Sequence, residues 1–337
     1  MAIFYNVFIK TTAIFISILL IIILSSLFIT FLEKDNNGHI FISGNENSDN
    51  VIAIIELNGL IIEANTEFSN LTNPFIISPK KVSEILNNLK EISPKIIIFS
   101  INSPGGTVSA SKNLYDVIKE FKKNNIEILV HTNELLASGG YWVAISADEI
   151  YASYGSIIGS IGVKGPDWFF YDQPKKISTG IFGNSIETEK SIKVFSNKAG
   201  KYKDIFNPFR EPTEDELNHL QSMVDEIYIN FVRLVSKERK IENNTIINEI
   251  GALIYTAKKA AHLHLINGEL NITQLINLKV KKRGFDNYKV IKIPYSKNSL
   301  TKFITGSLNN KNNNINFECL SLRSSISAIL SYEAIGC

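Results

Sequence analysis

The stretch Lys95-Ile-Ile-Ile-Phe-Ser-Ile101, running on into Ser103-Pro104-Gly105-Gly106, decides the fold class of this chain. A run this apolar and β-branched, of strand length and stopped by Pro-Gly-Gly, is a strand buried on both faces, as in a parallel sheet. Val51 to Leu57 (VIAIIEL) and Ile126 to Val130 (IEILV) read the same way. Helical patterns lie between them. From about Ser78, the residues Val82, Ile85, Leu89 and Ile92 recur three and four apart with Pro94 just beyond, and Leu114, Val117, Ile118 and Phe121 then share one face. Strands alternating with amphipathic helices predict an α/β fold in which crossover helices cover the sheet.

Open α/β sheets place their sites beyond the carboxyl ends of the strands, where loops converge and helix N-termini point inward. Two glycine-bearing motifs fall there: Ser103-Pro104-Gly105-Gly106, and Ala137-Ser138-Gly139-Gly140-Tyr141-Trp142. Either alone reads as a turn or a helix start. Together they supply a nucleophile and donors for an oxyanion. A helix beginning at Gly139 would aim its dipole and first-turn N–H groups at charge developing near Ser138, and the glycines of 103–106 can turn further N–H groups toward the same point.

A serine hydroxyl needs a base. His39 lies in a polar tether, His131 ends a strand, and His219, His262 and His264 fall in helical segments, so no histidine occupies a loop with matching signals. Lys190, Lys193, Lys198, Lys201 and Lys203 follow the serine. A lysine acts as a base only when neutral, which requires desolvation to pull its pKa down from ~10.4. Gly200-Lys201-Tyr202-Lys203-Asp204 offers two candidates at a turn before Pro208, and spacing alone does not choose between them.

The chain has 337 residues, 45% hydrophobic and 20% charged, with a formal net charge of +2, so charge implies no nucleic-acid partner. Thr11 to Leu32 is a run of 22 residues without a charge. As a helix at ~1.5 Å per residue it reaches roughly 33 Å, about one hydrocarbon core. No small-x-small cleavage site follows it, so it reads as an uncleaved anchor. Lys10 before the run favours a cytoplasmic N-terminus and an extracytoplasmic body. Asp35 to Asn50 reads as a flexible tether, and the Asn-rich stretch Asn309 to Asn314 as low-complexity, with Leu320 to Leu330 a short helix. Cys319 and Cys337 are too few to form a disulfide framework. Thr213 with Glu216 forms a capping-box pattern ahead of Leu217, Leu220, Val224, Ile227, Phe231 and Leu234, a stripe better suited to core packing than to a subunit interface.

Four motifs in order, Asn102-Ser103-Pro104-Gly105-Gly106, Ala137-Ser138-Gly139-Gly140-Tyr141, Gly159-Ser160-Ile161-Gly162-Val163 and Gly200-Lys201-Tyr202-Lys203-Asp204, resemble those of the SppA-type signal peptide peptidases of the S49 (protease IV) family. The resemblance covers roughly Val51 to Asn267. It implies a ClpP/crotonase-like α/β fold with an N-terminal transmembrane helix. It implies Ser138 as nucleophile, Lys203 as general base, Ser160 as the hydroxyl that orients the lysine, and the backbone N–H groups of Gly106 and Gly139 as the oxyanion hole. No metal or cofactor is called for. Short family members assemble into homo-oligomeric rings in the cytoplasmic membrane and complete each site with Ser and Lys from neighbouring subunits.

The implied substrates are peptides such as cleaved signal peptides at the bilayer; other membrane or misfolded proteins, and a crotonase-type acyl-CoA activity, are alternatives. The implied divisions are 1–34 for the anchor, 35–50 for the tether, 51–285 for the protease domain and 286–337 for a C-terminal extension. Two departures stand out. The 65 residues from Ser138 to Lys203 exceed the usual spacing, the excess lying around Gly165 to Glu189, and Leu263-His264-Leu265-Ile266-Asn267 replaces a usual Leu-Gly-Leu-Ile-Asp at a helix cap or turn.

Overall fold

A computed structural model of the chain describes residues 2–33, 39–63, 75–122, 126–170, 178–180, 183–185 and 199–295. The Asn-rich stretch, the helix expected over Leu320 to Leu330, both cysteines, Lys190, Lys193, Lys198 and much of 165–189 lie outside them. Helix α1 (Ala2–Glu33) is followed by strands β1 (Ile40–Gly44), β2 (Val51–Asn58), β3 (Leu60–Ile61) and β4 (Ile76–Ile77), then α2 (Pro79–Ile92), β5 (Ile96–Asn102), α3 (Val108–Lys122), β6 (Glu127–Thr132) and β7 (Leu135–Ala137). Next come α4 (Gly139–Ala144), β8 (Glu149–Ala152), β9 (Ile157–Gly159), the ribbon β10 (Ser178–Gly180) and β11 (Gly183–Ser185), α5 (Glu214–Arg239), β12 (Ile254–Thr256), α6 (Ala257–His262), β13 (Gly268–Glu269), α7 (Ile272–Arg283) and β14 (Lys289–Ile293).

The α/β reading holds. A seven-stranded sheet runs β1-β14-β2-β5-β6-β8-β13, parallel throughout except for β1. Its central strands are buried on both faces, as their unbroken apolar runs require. Helices α2, α3 and α4 pack on one face, and α7 covers the other around Ile52, Ile98 and Leu275. Helix α2 buries Val82, Leu86 and Leu89, and α3 buries Leu114, Ile118 and Phe121. A smaller sheet, β12-β9-β7, carries the serine motifs.

Two boundaries differ from expectation. Ile40–Gly44 is no tether: it pairs antiparallel with β14, and Asn45 N–H and Ser48 Oγ donate to the carbonyls of Tyr288 and Asn287. The surrounding Asn, Gly and Ser masked Ile40-Phe41-Ile42, which the open edge of β14 captures. The body likewise extends past residue 285, because β14 inserts between β1 and β2 and Tyr295 Oη accepts the Ser78 N–H. Among the residues whose side chains are described, no helix is long and apolar enough to cross a membrane; in α1 those are residues 10–25 alone.

The apolar stripe of α5 is only partly core. Phe231, Val232 and Val235 are buried, but Leu217, Met223 and Ile229 are 48%, 49% and 43% exposed. The capping box forms as expected, Thr213 Oγ1 accepting the Glu216 N–H while Glu216 accepts the Thr213 N–H. His264 lies not in a helix but in the turn after α6, at φ 59, where its N–H donates to Ala261 O. This is the left-handed position at which a glycine carries no Cβ penalty.

The far side of the sheet is tied by charge. Lys279, 1% exposed, lies 2.6 Å from both Glu127 Oε1 and Glu149 Oε2, and Arg283 reaches Glu127. Burial alone would raise the Glu149 carboxyl, but hydrogen bonds from Lys279, Tyr151 and Lys282 outweigh it and lower the pKa to about 2. Replacing Lys279 with Ala removes the buried cation that the two carboxylates share, leaving Glu127 to Arg283 and Glu149 to Lys282 and Tyr151, and denaturant titration should show a loss of up to about 3 kcal/mol. A depressed carboxylate stabilises the fold above its unfolded pKa and loses that contribution as pH falls through the folded one. The urea midpoint should therefore drop between about pH 4.5 and 2, and Glu149→Gln should flatten that slope. The exposed His264 side chain makes the opposite case. His264→Gly should raise stability by about 0.5–1 kcal/mol, the αL penalty of about 1–2 kcal/mol less the extra entropy of an unfolded glycine; an unchanged melting temperature would mean the turn is unstrained.

Candidate active site

Ser138 stands between the end of β7 and the start of α4, with φ 52 and ψ −122. A non-glycine residue so placed costs on the order of 1–3 kcal/mol and persists only where its surroundings over-determine it. Here they do. Its N–H donates to Gly159 O at 2.9 Å, its C=O accepts the Trp142 N–H at 2.9 Å, and Trp142 is itself stacked on Phe231 at 4.4 Å. The strain turns the side chain out of the helix-capping position, and among the described residues no hydrogen bond engages Oγ.

The loop after β5 closes on this turn. Ser103 pairs with Leu136 as an isolated bridge, and Ser103 Oγ accepts the Gly105 N–H at 3.1 Å. Gly105, at φ 114, approaches so closely that a Cβ would lie 2.8 Å from Gly139 N and 3.0 Å from Ser138 Cβ. From the other side, Ile61 donates to Gly105 O and accepts from Thr107 N–H, leaving a Cβ on Gly106 only 1.9 Å from Ile61 O. A Cβ on Gly139 would meet Ser111 Oγ at 2.2 Å and Gly106 N at 3.1 Å. Gly139 opens α4, so its N–H has no intrahelical acceptor. Among the described residues no hydrogen bond engages it or the Gly106 N–H. The N-termini of α3 and α4 converge here and favour negative charge.

Ser160 is placed by register. β7 and β9 run parallel with Leu135 opposite Ile157 and Ala137 opposite Gly159. Ser138 and Ser160 are therefore the next pair along two strands about 4.7–4.9 Å apart. Ser160 also has positive φ, 53, and is held by its N–H to Leu253 O at 2.8 Å. Ser138, Gly139, Gly106 and Ser160 thus come together.

Lys203 is not bonded to them among the described residues. It lies in the turn over Gly200–Asn207, its side chain exposed. The turn is nevertheless well fixed. Arg210 bonds Asp204 at 3.1 Å and Glu216 at 2.6 and 2.8 Å, and its guanidinium lies 5.1 Å over the Trp168 ring. These bonds hold the Glu216 carboxyl at about 2, the Arg210 hydrogen bond being the main cause. The neighbouring Lys201 interacts with Tyr202 and lies 3.8 Å from Asp215; the Tyr202 contact chiefly raises its pKa, the wrong direction for a base.

His131 is fully buried, its Nε2 within 3.0 Å of Leu270 O, and burial lowers its pKa. It is bonded to Leu270 and Ser153, not to Ser138. Three contributors escaped the sequence reading: Arg210, the clamp from Ile61, and Ser111, whose buried Oγ has no partner among the described residues. The capping box beside Arg210 was visible, but neither its ion pairs nor the other two contacts leave a signal in the order of residues.

The profile of Peptidase family S49 matches residues 120–285, which contain Ser138, Gly139, Ser160 and Lys203. A candidate protease of Methanocaldococcus jannaschii is 36% identical over 178 residues, 53% of this chain and 53% of that protein. A candidate signal peptide peptidase SppA of Enterococcus faecium is 28% identical over 270 residues, 78% of this chain and 72% of its own length. Protease 4 of Haemophilus influenzae is 27% identical over 200 residues, 59% of this chain and 29% of that one. The match to the first of these spans about half of that relative's length. Among solved structures, a 1510-N membrane-bound stomatin-specific protease in complex with a substrate peptide covers 77% of this chain at 14% identity and a TM-score of 0.43. The strand-end serine lies within the stretch that the profile matches, and over those residues the chain carries a domain of peptidase family S49.

Proposed function

We propose that the chain is a membrane-anchored serine endopeptidase that cleaves apolar peptides, such as signal peptides left in the bilayer, with its body on the extracytoplasmic side. The observation that carries this is the strained Ser138, whose Oγ has no hydrogen bond among the described residues, beside two backbone N–H groups that have none there either. In the reaction Ser138 Oγ adds to the scissile carbonyl while neutral Lys203 takes its proton. The oxyanion is met by Gly106 and Gly139 N–H. The tetrahedral adduct collapses as the lysine returns the proton to the leaving amine, giving an ester on Ser138. Water deprotonated by the same lysine then adds to that ester and releases the acid. Ser160, beside Ser138, accepts a hydrogen bond from the lysine and aims it.

A lysine becomes a base through desolvation, which the single chain does not give the exposed Lys203. We assign that covering to a neighbouring copy, so that Lys203 of one subunit serves Ser138 and Ser160 of the next in a homo-oligomer. Leu217, Leu220 and Val224 share one incompletely buried face of α5, the helix that Arg210 and Glu216 tie to the Lys203 turn, and provide an apolar face for such a contact. The ClpP/crotonase-like chain path and the transmembrane reading of the uncharged Thr11–Leu32 run are parts of this proposal.

Hydrolysis of a signal-peptide-like substrate by the detergent-solubilised chain tests it. Ser138→Ala and Lys203→Ala should each lower kcat by about 10⁴-fold or more while remaining folded. Mixing the two inactive variants under subunit exchange should restore part of the activity; no recovery would place both groups in one chain, and full activity in Lys203→Ala would remove the lysine from the mechanism. The rate should climb from pH 6 to 9, because a protonated lysine is inert. CoA-thioester turnover surviving in Ser138→Ala would support the acyl-CoA alternative instead.

The oxyanion hole has its own test. Gly139→Ala keeps the N–H but its methyl strikes Ser111 Oγ at 2.2 Å and must push the donor out of place, so kcat should fall, by up to the roughly 10²–10³-fold that a lost donor costs, with KM little changed. Ser111→Ala removes the hydroxyl that the new methyl would strike at 2.2 Å, and added to Gly139→Ala it should recover part of the loss. Alone, Ser111→Ala should not lower the melting temperature, since it deletes a buried hydroxyl without a partner among the described residues.

A further inference from the structure

β1 is the outermost strand of the main sheet, and its three apolar side chains are all open: Ile40 is 53%, Phe41 40% and Ile42 50% exposed. Successive strand residues point to opposite faces, so neither face of this strand is covered. An apolar edge in this state is a liability that proteins cover. Connectivity identifies the cover. Ile40 lies seven residues after Glu33, the end of α1, so even a fully extended link holds the two within about 25 Å. The uncharged run inside α1 stops at Leu32.

Strand direction adds the orientation. β1 alone is antiparallel, and Ile40 pairs with Lys292 while Gly44 pairs with Lys289. The chain therefore arrives at β1 from the carboxyl-end side of the parallel strands. On that side β2 and β5 finish at Asn58 and Asn102, and the Ser103–Leu136 bridge leads on to Ser138. Two strongly exposed aromatics occupy the same end: Phe75, 62% exposed, whose carbonyl accepts the Leu60 N–H just beyond β2, and Tyr154, 89% exposed, just beyond β8. Aromatic side chains are enriched where a protein meets the headgroup layer.

We infer that Ile40–Gly44 lies in the interfacial layer of the bilayer that α1 crosses, with Ile40, Phe41 and Ile42 against lipid, so that the end of the sheet carrying Ser138 faces the membrane. The inference rests on the anchor in the proposed function. A second copy pairing along this edge fits less well, because the register shifts between Phe41 and Ser43 and a bulged edge resists strand addition. A peptide leaving the bilayer would then reach the serine without crossing bulk water.

The test uses the full chain reconstituted in phosphatidylcholine vesicles, with Phe41→Trp in a Trp142→Phe, Trp168→Phe background. The native indole Nε1 atoms are buried without partners among the described residues, so those two changes break no hydrogen bond there. Glu91→Trp in the same background is the control, because Glu91 lies in the last turn of α2 just before β5 begins, at the opposite end of the sheet. Acyl-chain-brominated lipid should remove roughly half or more of the emission from position 41 and leave that from position 91 nearly unchanged, as expected for side chains held about 5–10 Å into the headgroup boundary. Equal, weak quenching at both positions overturns the inference, as does a blue-shifted but unquenched indole at 41, which would mean that protein covers the strand. Failure of the chain to float with the vesicles would instead remove the anchor on which the inference stands.

Discussion

The site is built on an approach of two backbones that tolerates no side chain. Gly105 and Gly106 press against the Ser138–Gly139 turn on one side and Ile61 on the other, with clearances for an added Cβ of 1.9 to 2.8 Å. Everything catalytic in the proposed mechanism follows from that contact. It brings the N–H groups of two separate loops to one point, and it does so beyond strand ends whose own hydrogen bonds are complete. The cost appears as positive φ at Ser138 and Ser160, two serines that a relaxed strand end would not hold there. The β7–β9 ladder sustains both, because Ser138 N–H is bonded to the carbonyl of the residue preceding Ser160. One hydrogen bond thus couples the position of the nucleophile to that of its neighbouring hydroxyl.

That scaffold is rigid because of what lies behind it. The central strands are buried on both faces, and helices α2, α3 and α4 leave little room for the sheet to shift under the site. On the reverse face the Lys279 network fastens α7 to the starts of β6 and β8 through Glu127 and Glu149. A buried ion pair is not in itself a strong source of stability. Its use here is geometric, since α7 leads directly into β14, and β14 is the strand on which the edge strand β1, next along the chain from α1, is paired.

Much of this was legible in the order of residues, and the reason differs from part to part. Lys95–Ile101 and Val51–Leu57 declare themselves because a doubly buried strand admits almost nothing but apolar side chains. The serine and glycine motifs declare themselves because only small residues survive at such close approach. The Ile40 strand was concealed by its polar neighbours: three apolar residues are too few for a periodicity, and pairing with β14, some 250 residues away, is a tertiary event. The α5 stripe shows the converse limit. Leu217 and Phe231 repeat with the same period, yet one is half exposed and the other buried, because periodicity states which face is apolar and not what covers it. His264 was marked by resemblance alone, and the structure gives the reason, a left-handed turn that any side chain strains.

The exposed Lys203 is better understood as a consequence of this architecture than as a gap in it. A base lysine must lose its hydration, yet burying one permanently inside a monomer would leave an ammonium or an amine without a partner throughout folding. Holding the lysine on a surface turn avoids that cost. The turn is kept in shape by Arg210, which spans Asp204, Glu216 and the Trp168 ring, so the lysine is presented at a defined place while remaining solvated. Desolvation is then deferred until a second surface arrives. In the proposed mechanism that surface carries Ser138 and Ser160, and the act of assembly is what turns an ordinary surface cation into a base. On that proposal a free subunit would hold a strained serine and an open oxyanion hole but no group placed to take the proton, and the nucleophile would stay inert until a neighbour is in place.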